Sequence, residues 1–129
     1  MRTLVHFGTA DSEWAVPIER VQEVRLPYGI TPLPVPKAGI AGLLRHGDEI
    51  LTVLSVLGGA AGYVLVLDGG GERFGLIVES ALGILRVEAS EITAPPAGQE
   101  NPIVCGVIRA EEQRMVLLLD TDELAKELQ

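Results

Sequence analysis

Two stretches of the chain repeat the same pattern of hydrophobic and polar positions. In the first, an apolar entry at 40–44 leads to a polar corner at 45–49 and then to an apolar run over 50–57. In the second, the apolar run 103–108 leads through a polar corner into the apolar run 115–119. Short apolar runs bounded by polar and glycine residues are typical of buried strands. The pattern predicts that each stretch is a strand, a tight corner and a second strand.

Other apolar segments alternate or run apolar over lengths typical of strands. They comprise residues 4–7, 14–18, 21–26, 63–68, 74–79 and 80–87. The three glycines at 69–71 supply the positive φ values of a hairpin. A single helical turn is predicted at 89–92. Asp120 is expected to cap a short C-terminal helix over 121–129, with Glu123 as its reciprocal partner.

The repeat extends along the whole chain, because the two halves match at an offset of about 60 residues. The matched positions are Trp14 with Phe74, Ile30-Thr31 with Ile92-Thr93, Gly42 with Gly106, and 50–56 with 115–119. No segment has the length of a βαβ crossover helix, so the pattern indicates an all-β fold of two small barrels packed together, each of about five strands.

The repeat also suggests where the two barrels lie along the chain. The first is predicted at about 1–57 and the second at about 63–120, within one domain over 1–129. Between them, residues 58–62 are predicted to be a flexible connector too small to pack. Each half alone would be only marginally stable, so the interface between the barrels is expected to carry part of the core.

Composition and charge narrow the classes of partner. The chain has 129 residues, of which 47% are hydrophobic and 22% charged, which excludes a disordered tail. Eighteen acidic against ten basic residues give a net charge of −8. Nucleic acid and anionic membrane surfaces are therefore poor candidates. The composition predicts that the partners are proteins.

Cysteine content and hydropathy predict a cytoplasmic protein. Cys105 stands alone, so it cannot form an internal disulfide, and its apolar surroundings predict a buried structural thiol. A single cysteine without an internal disulfide indicates a reducing compartment. No stretch approaches the roughly 18 apolar residues of a membrane span, and the N-terminus lacks a secretory apolar region, so no direct membrane insertion is expected.

Candidate chemistry is sparse. His6 and His46 have no metal-ligand spacing around them, and the alternation of its strand predicts that His6 lies on the surface. The glycines at 69–71 lack the Lys-Ser/Thr of a phosphate loop. No serine or cysteine stands in a nucleophile motif. The sequence predicts no enzyme, no catalytic residue, no metal and no cofactor.

An ordered series of segments resembles the CheW-like domain of bacterial chemosensory systems. The segments are 16–24, 30–34, 40–42, 50–56, 74–79, 84–85, 92–95 and 114–120, and together they cover essentially the whole chain. The resemblance implies two SH3-like five-stranded β-barrels in a stand-alone adaptor. It implies that the adaptor couples the tip of a methyl-accepting chemoreceptor to a CheA-type histidine kinase, in the cytoplasm at membrane-associated arrays.

The same resemblance implies a receptor-binding groove between the barrels. Its members, carried over by position, are Val21, Glu23, Val24, Gly75, Ala81 and Ile84. Val21, Val24, Ala81 and Ile84 would supply apolar contact. Glu23 would orient the partner through polar contact, and Gly75 would permit a close approach of its backbone.

The chain departs from the family at the first polar corner, where Arg45, His46 and Gly47 replace the usual Asn-Leu-Arg-Gly run. The family arginine, which pairs with the glutamate matching Glu23, falls on Gly47. The pair is therefore either lost or rebuilt with Arg45 or His46. The connector 58–62 is also shorter than in the family.

These departures lead to the hypothesis of a divergent adaptor that keeps the receptor contact and loses or alters the kinase contact. One alternative is a regulatory scaffold that binds signalling proteins outside a receptor array. Another is an enzyme or small-ligand sensor on the same fold, because a fold does not fix a function.

Overall fold

The computed structural model describes residues 1–98, 101–110 and 114–129 and shows eleven strands in that part of the chain. The strands are β1 Arg2–Gly8, β2 Glu13–Pro17, β3 Val21–Arg25, β4 Ile40–His46, β5 Glu49–Leu54, β6 Tyr63–Gly69, β7 Glu72–Val78, β8 Ser80–Val87, β9 Ile92–Thr93, β10 Val104–Ala110 and β11 Arg114–Leu119. Single 3₁₀ turns span Ile18–Arg20 and Ala89–Glu91, and the second of these was predicted.

The strands form two sheets. The five-stranded sheet has the order β3-β6-β7-β5-β4, and the six-stranded sheet has the order β8-β1-β2-β11-β10-β9. Neighbouring strands are antiparallel except for β5 with β7 and β2 with β11, which are parallel. The prediction of an all-β fold with two small barrel-like units is confirmed. The second unit has a sixth strand because β9, only two residues long, pairs with β10.

Each sheet contains one hairpin from the opposite half of the sequence repeat. The hairpin β1–β2 joins strands from the second half of the chain, and the hairpin β6–β7 joins β3, β4 and β5. The predicted division into a barrel at 1–57 and a barrel at 63–120 is therefore wrong. The reason is that a repeat identifies which strands are equivalent, whereas the parallel pairings of β2 with β11 and β7 with β5 decide which copy each hairpin joins.

The matched positions themselves occupy equivalent places. Gly42 in β4 and Gly106 in β10 both lie where the strand pairing shifts register at a bulge. A Cβ on Gly42, whose φ is +152°, would overlap the carbonyl oxygen of Thr31. A Cβ on Gly106 would lie 2.7 Å from the Cγ2 of Ile92. The equivalent segments Thr31 and Ile92-Thr93 thus cross the same bulge in the two sheets, which explains why both positions are glycine.

The largest hydrophobic cluster is built by both sheets together. Its buried members are Phe7, Trp14, Val16, Leu54, Leu65, Leu67, Phe74, Leu76, Val78, Leu119, Leu124 and Ala125. Smaller clusters lie within each sheet: Leu44, Val53, Val64 and Ile77 in one, and Leu4, Ala15, Val87, Ile108, Val116 and Leu118 in the other. The prediction that the interface carries part of the core is confirmed.

The C-terminal segment packs on this shared cluster. It begins with a short α-helix, α1 Thr121–Leu124, and continues as a 3₁₀ helix over Ala125–Leu128. The Asp120 carboxylate accepts hydrogen bonds from the backbone N–H groups of Asp122 and Glu123, as predicted for an N-cap. Glu123 does not return the bond; its carboxylate lies 2.8 Å from the Lys126 Nζ.

The connector 58–62 is exposed over residues 58–61, but hydrogen bonds hold it in place, contrary to the prediction of a flexible connector. The backbone N–H of Gly62 donates to the carbonyl of Val78 at 3.0 Å, and that of Ala60 donates to the Glu79 carboxylate at 3.1 Å. A Cβ on Gly62 would overlap the Glu79 carbonyl oxygen. The small residues of the connector therefore permit a close approach to the junction of β7 and β8, which apolar patterning does not reveal.

Cys105 is exposed, so the predicted buried thiol is wrong. It lies at the bulge of β10, where Val104 pairs with Leu119 and Gly106 pairs with Leu118, which leaves Cys105 without a pairing partner across the ladder. An extra residue at a bulge reverses the alternation of the side chains that follow. The Sγ lies 3.6 Å from the Leu118 carbonyl oxygen, and partial desolvation raises the pKa of the thiol.

Candidate functional site

The predicted groove residues lie mainly on two edge strands. Val24 lies on β3, an edge of the five-stranded sheet, and Ile84 lies on β8, an edge of the six-stranded sheet. Their side chains are 44% and 47% exposed, and Leu82, which the sequence analysis did not select, is 48% exposed. Ala81 is also exposed. The two edge strands therefore present apolar side chains to solvent.

Two of the predicted groove residues contribute to the core instead. Gly75 is buried in β7 between β5 and β6, where a Cβ would lie 3.0 Å from Val64 Cγ1 and 3.2 Å from Val53 Cγ2. Its predicted role in a partner's backbone approach is wrong, because the space it leaves is filled by these valines. Val21 is half-buried and packs against the shared cluster.

Leu82 was missed because it is not among the groove positions that the family resemblance implies. Its strand is also irregular: the pairing of β1 with β8 shifts register where His6 faces Gly83 and Phe7 faces Ala81, so Leu82 is the extra residue of a bulge. The only sequence signal for the irregularity is Gly83, whose φ is +121°.

The first polar corner closes the five-stranded sheet. The turn Gly47-Asp48 joins β4 to β5, and Gly47 has the positive φ of +61° that such a turn requires. At the other edge of the sheet, Arg25 of β3 donates from Nη1 to the carbonyl oxygen of Arg45 at 3.0 Å. The two edge strands of this sheet therefore meet at the corner, and the sheet closes as a small barrel.

Glu23 is paired with His46. The Glu23 Oε2 lies 3.2 Å from the His46 Nδ1, and the Glu23 side chain is about half exposed. The sequence leaves open whether the family pair is lost or rebuilt with Arg45 or His46. The structure selects His46, and Arg45 contributes its carbonyl oxygen to Arg25 instead.

A second feature is an open depression of about 910 Å³ on the six-stranded sheet. It is lined by His6, Gly8, Thr9, Ala10, Asp11, Ser12, Glu13, Ser80, Leu82, Arg114, Met115 and Leu117. His6 is 5% exposed, so the prediction of a surface histidine is wrong. Its Nε2 lies 2.7 Å from the Oε1 of Glu13, which explains how a polar ring is accommodated in β1.

Glu13 is held from two sides. Arg114 donates from Nε to Glu13 Oε2 at 2.9 Å and from Nη2 to Oε1 at 2.6 Å, and His6 contacts the same carboxylate. The hydrogen bonds from Arg114 hold the pKa of Glu13 below its ordinary value of 4.5, although partial burial opposes them; His6 lowers it further. The three side chains link β1, β2 and β11 across the sheet.

This arrangement predicts an acid-sensitive contribution to stability. A carboxyl with a depressed pKa in the folded state stabilises the protein above its unfolded pKa, and the stabilisation is lost as the pH falls through the folded value. We expect the stability difference between the wild type and Glu13→Gln to shrink as the pH falls below about 4.5. Urea midpoints measured at successive pH values test this. A difference that stays constant down to the acid limit would contradict the prediction.

Within the described residues, no group of three or more His, Cys, Asp and Glu side chains is arranged to hold a metal ion. That part of the chain also has no helix with the length and hydrophobicity needed to span a membrane.

Three comparisons with known proteins agree. The family model of the CheW-like domain matches residues 3–129. Protein FrzA of Myxococcus xanthus is 29% identical over an alignment that covers 92% of this chain and 81% of that protein. The scaffolding protein TtCheW from Thermoanaerobacter tengcongensis has a similar structure, with a TM-score of 0.86 at 20% identity, covering 95% of this chain and 86% of that one.

Proposed function

Because this chain belongs to the CheW-like domain family, we propose that it is a non-catalytic adaptor of bacterial chemosensory signalling. In this proposal it links the tip of a methyl-accepting chemoreceptor to a CheA-type histidine kinase, and it works in the cytoplasm at membrane-associated receptor arrays. The observation that carries the receptor contact is the apolar exposure of two edge strands, β3 and β8, that belong to different sheets.

The proposed receptor surface consists of Val24, Ala81, Leu82 and Ile84, with Glu23 at its polar margin. Single exposed apolar residues are ordinary, but several on neighbouring positions of edge strands favour a docking role. A receptor tip is helical, and an amphipathic helix binds by laying its apolar face on such a surface. Val21 and Gly75 support this surface from the core and do not contact the partner.

We further propose that the kinase contact is altered. The guanidinium of an arginine can hold both oxygens of a carboxylate, whereas the His46 ring reaches one oxygen of Glu23 through one nitrogen. The Glu23 carboxylate is therefore less firmly oriented by His46 than it would be by an arginine that bound both of its oxygens. A partner that depends on that orientation should bind less tightly, while a partner bound by the apolar residues should be affected less.

The test is to measure binding of this protein to its cognate receptor tip and to the regulatory domain of its cognate kinase. We expect receptor binding, and kinase binding that is weaker or absent. In addition, Ile84→Glu should weaken receptor binding by about tenfold or more, which corresponds to about 1.4 kcal/mol. A charge on this exposed side chain opposes an apolar contact without disturbing the core. Val21→Glu is unsuitable because Val21 is packed on the shared cluster.

Val35→Glu is the matched control. Val35 is 79% exposed between β3 and β4, so the substitution places the same charge on an exposed apolar residue outside β3, β8 and the depression. Equal loss of receptor binding in both variants would refute the proposed surface. Equally tight binding of the wild type to receptor and kinase, with full kinase activation, would refute the altered kinase contact. Binding to neither would favour a regulatory scaffold that acts outside a receptor array.

A further inference from the structure

One nitrogen of His46 faces two groups of opposite charge. Its Nδ1 lies 3.2 Å from the Glu23 Oε2 and 3.5 Å from the Arg25 Nη1. Both partners lie on β3, two residues apart, while His46 ends β4. The contact therefore spans the seam at which the edge strands of the five-stranded sheet meet.

These two contacts require different forms of the ring. Donation to Glu23 requires a proton on Nδ1, whereas acceptance from Arg25 requires a lone pair on the same atom. A single nitrogen cannot do both. The imidazolium form carries a proton on each nitrogen and suits Glu23. A neutral ring with its proton on Nε2 suits Arg25.

Among the charged neighbours of His46, the two β3 residues Glu23 and Arg25 determine which form of the ring is favoured. Glu49, which faces His46 across the β4–β5 ladder, lies 2.6 Å from the Arg73 guanidinium and is engaged there. Asp48 belongs to the adjoining turn, and Arg45 precedes His46 in β4. Arg25 has a second acceptor, the Arg45 carbonyl oxygen, at 3.0 Å, so it stays in place in either state. The side chain of His46 is 23% exposed, and solvent can therefore exchange its proton.

We propose that His46 holds the Glu23 carboxylate in a proton-dependent contact. When a proton from solvent binds the ring, Nδ1–H donates to the Glu23 carboxylate and holds it against the seam. When the ring loses that proton to solvent, Nδ1 accepts from Arg25 and the Glu23 carboxylate becomes free to meet solvent or a partner. Histidine is the side chain that ordinarily changes charge between pH 5 and 8. This inference concerns the free protein and holds whether or not the proposed function is correct.

The direct test is nitrogen NMR of the ring in the full chain, with ¹⁵N-labelled histidine, at about pH 5 and about pH 8. We expect both ring nitrogens of His46 to be protonated at the lower pH. At the higher pH, the Nδ1 resonance should move to the pyridine-like region, which shows that the neutral ring carries its proton on Nε2. A neutral ring with its proton on Nδ1 would overturn the proposal, because His46 would then donate to Glu23 throughout.

Variants at the seam separate the two contacts. Arg25→Gln removes the charged donor, so the neutral ring should shift from a proton on Nε2 towards a proton on Nδ1 that is shared with Glu23. Glu23→Gln should preserve the Nε2 proton at the higher pH. Glu49→Gln is the matched control, because it removes the same charge from the residue opposite His46 and should leave the neutral form unchanged.

If Arg25→Gln leaves the proton on Nε2, or Glu49→Gln moves it, the assignment of partners is overturned. Amide spectra identify any variant that fails to fold, and Arg25→Lys, which keeps a charged donor, then replaces Arg25→Gln and should retain the Nε2 proton.

Discussion

Replacing Phe74 with alanine is expected to lower the free energy of unfolding by about 3–5 kcal/mol, the usual cost of removing a large side chain from a packed core. Phe74 is fully buried in β7, and it belongs to the cluster that both sheets build. The cavity would therefore weaken the contact between the sheets as well as the sheet that contains it. We expect the protein to unfold in a single transition at a lower denaturant concentration.

The single tryptophan makes this measurement informative. Trp14 is buried in β2 of the six-stranded sheet, whereas Phe74 lies in the five-stranded sheet. If the two sheets unfold together, Trp14 fluorescence and far-ultraviolet circular dichroism will shift to the same lower midpoint. Met115→Ala, at an exposed position, should change the stability by no more than about 0.5 kcal/mol. A Trp14 transition that keeps its wild-type midpoint would show that the sheets unfold independently.

Replacing Gly62 with alanine is expected to lower the free energy of unfolding by about 3 kcal/mol, at the upper end of the usual cost of overpacking. The new methyl group would overlap the Glu79 carbonyl oxygen, which is backbone and cannot turn aside. Either the connector or the junction of β7 and β8 must move. Both movements would break the hydrogen bond from the Gly62 N–H to the Val78 carbonyl.

Denaturant unfolding of the Gly62→Ala protein tests whether the connector is a structural element. Ala61→Ser provides the control, because the neighbouring Ala61 is exposed and its change should stay within about 0.5 kcal/mol. Equal stability of the two variants would mean that the connector yields freely and behaves as the flexible linker that its composition suggests.

The sequence predicts the elements of this fold well because the relevant signals are local. The apolar runs at 40–44 and 50–57 are the hairpin β4–β5, and the glycines at 69–71 include the turn of the hairpin β6–β7. The equivalence of Gly42 with Gly106 also holds. These features depend on a few neighbouring residues, so the pattern along the chain contains them.

The exchange of hairpins is not a local property. Whether β1–β2 pairs with the first or the second half depends on parallel contacts between residues far apart, such as Leu117 of β11 beside Trp14 of β2. Cys105 was misjudged for a related reason. It sits at a bulge, and one extra residue reverses the face of the side chains that a regular alternation would predict.

The candidate site could also be predicted only in part. The family resemblance selected Val24 and Ile84, which are exposed on edge strands as a docking residue must be. It also selected Gly75, which is buried because its missing side chain is filled from neighbouring strands. The pairing of Glu23 with His46 could be narrowed to two candidates but not chosen, because it joins the opposite edges of a closed sheet.

The hairpin exchange sets an order for folding during synthesis. The strands of the five-stranded sheet all lie within residues 21–78, so that sheet can assemble as soon as this segment leaves the ribosome. The hairpin β1–β2 precedes that segment in the chain, yet its parallel partner β11 follows about 100 residues later. Phe7 and Trp14 can pack on the five-stranded sheet at once, but the edge of β2 stays unpaired until β11 is made and is open to incorrect pairing during that interval.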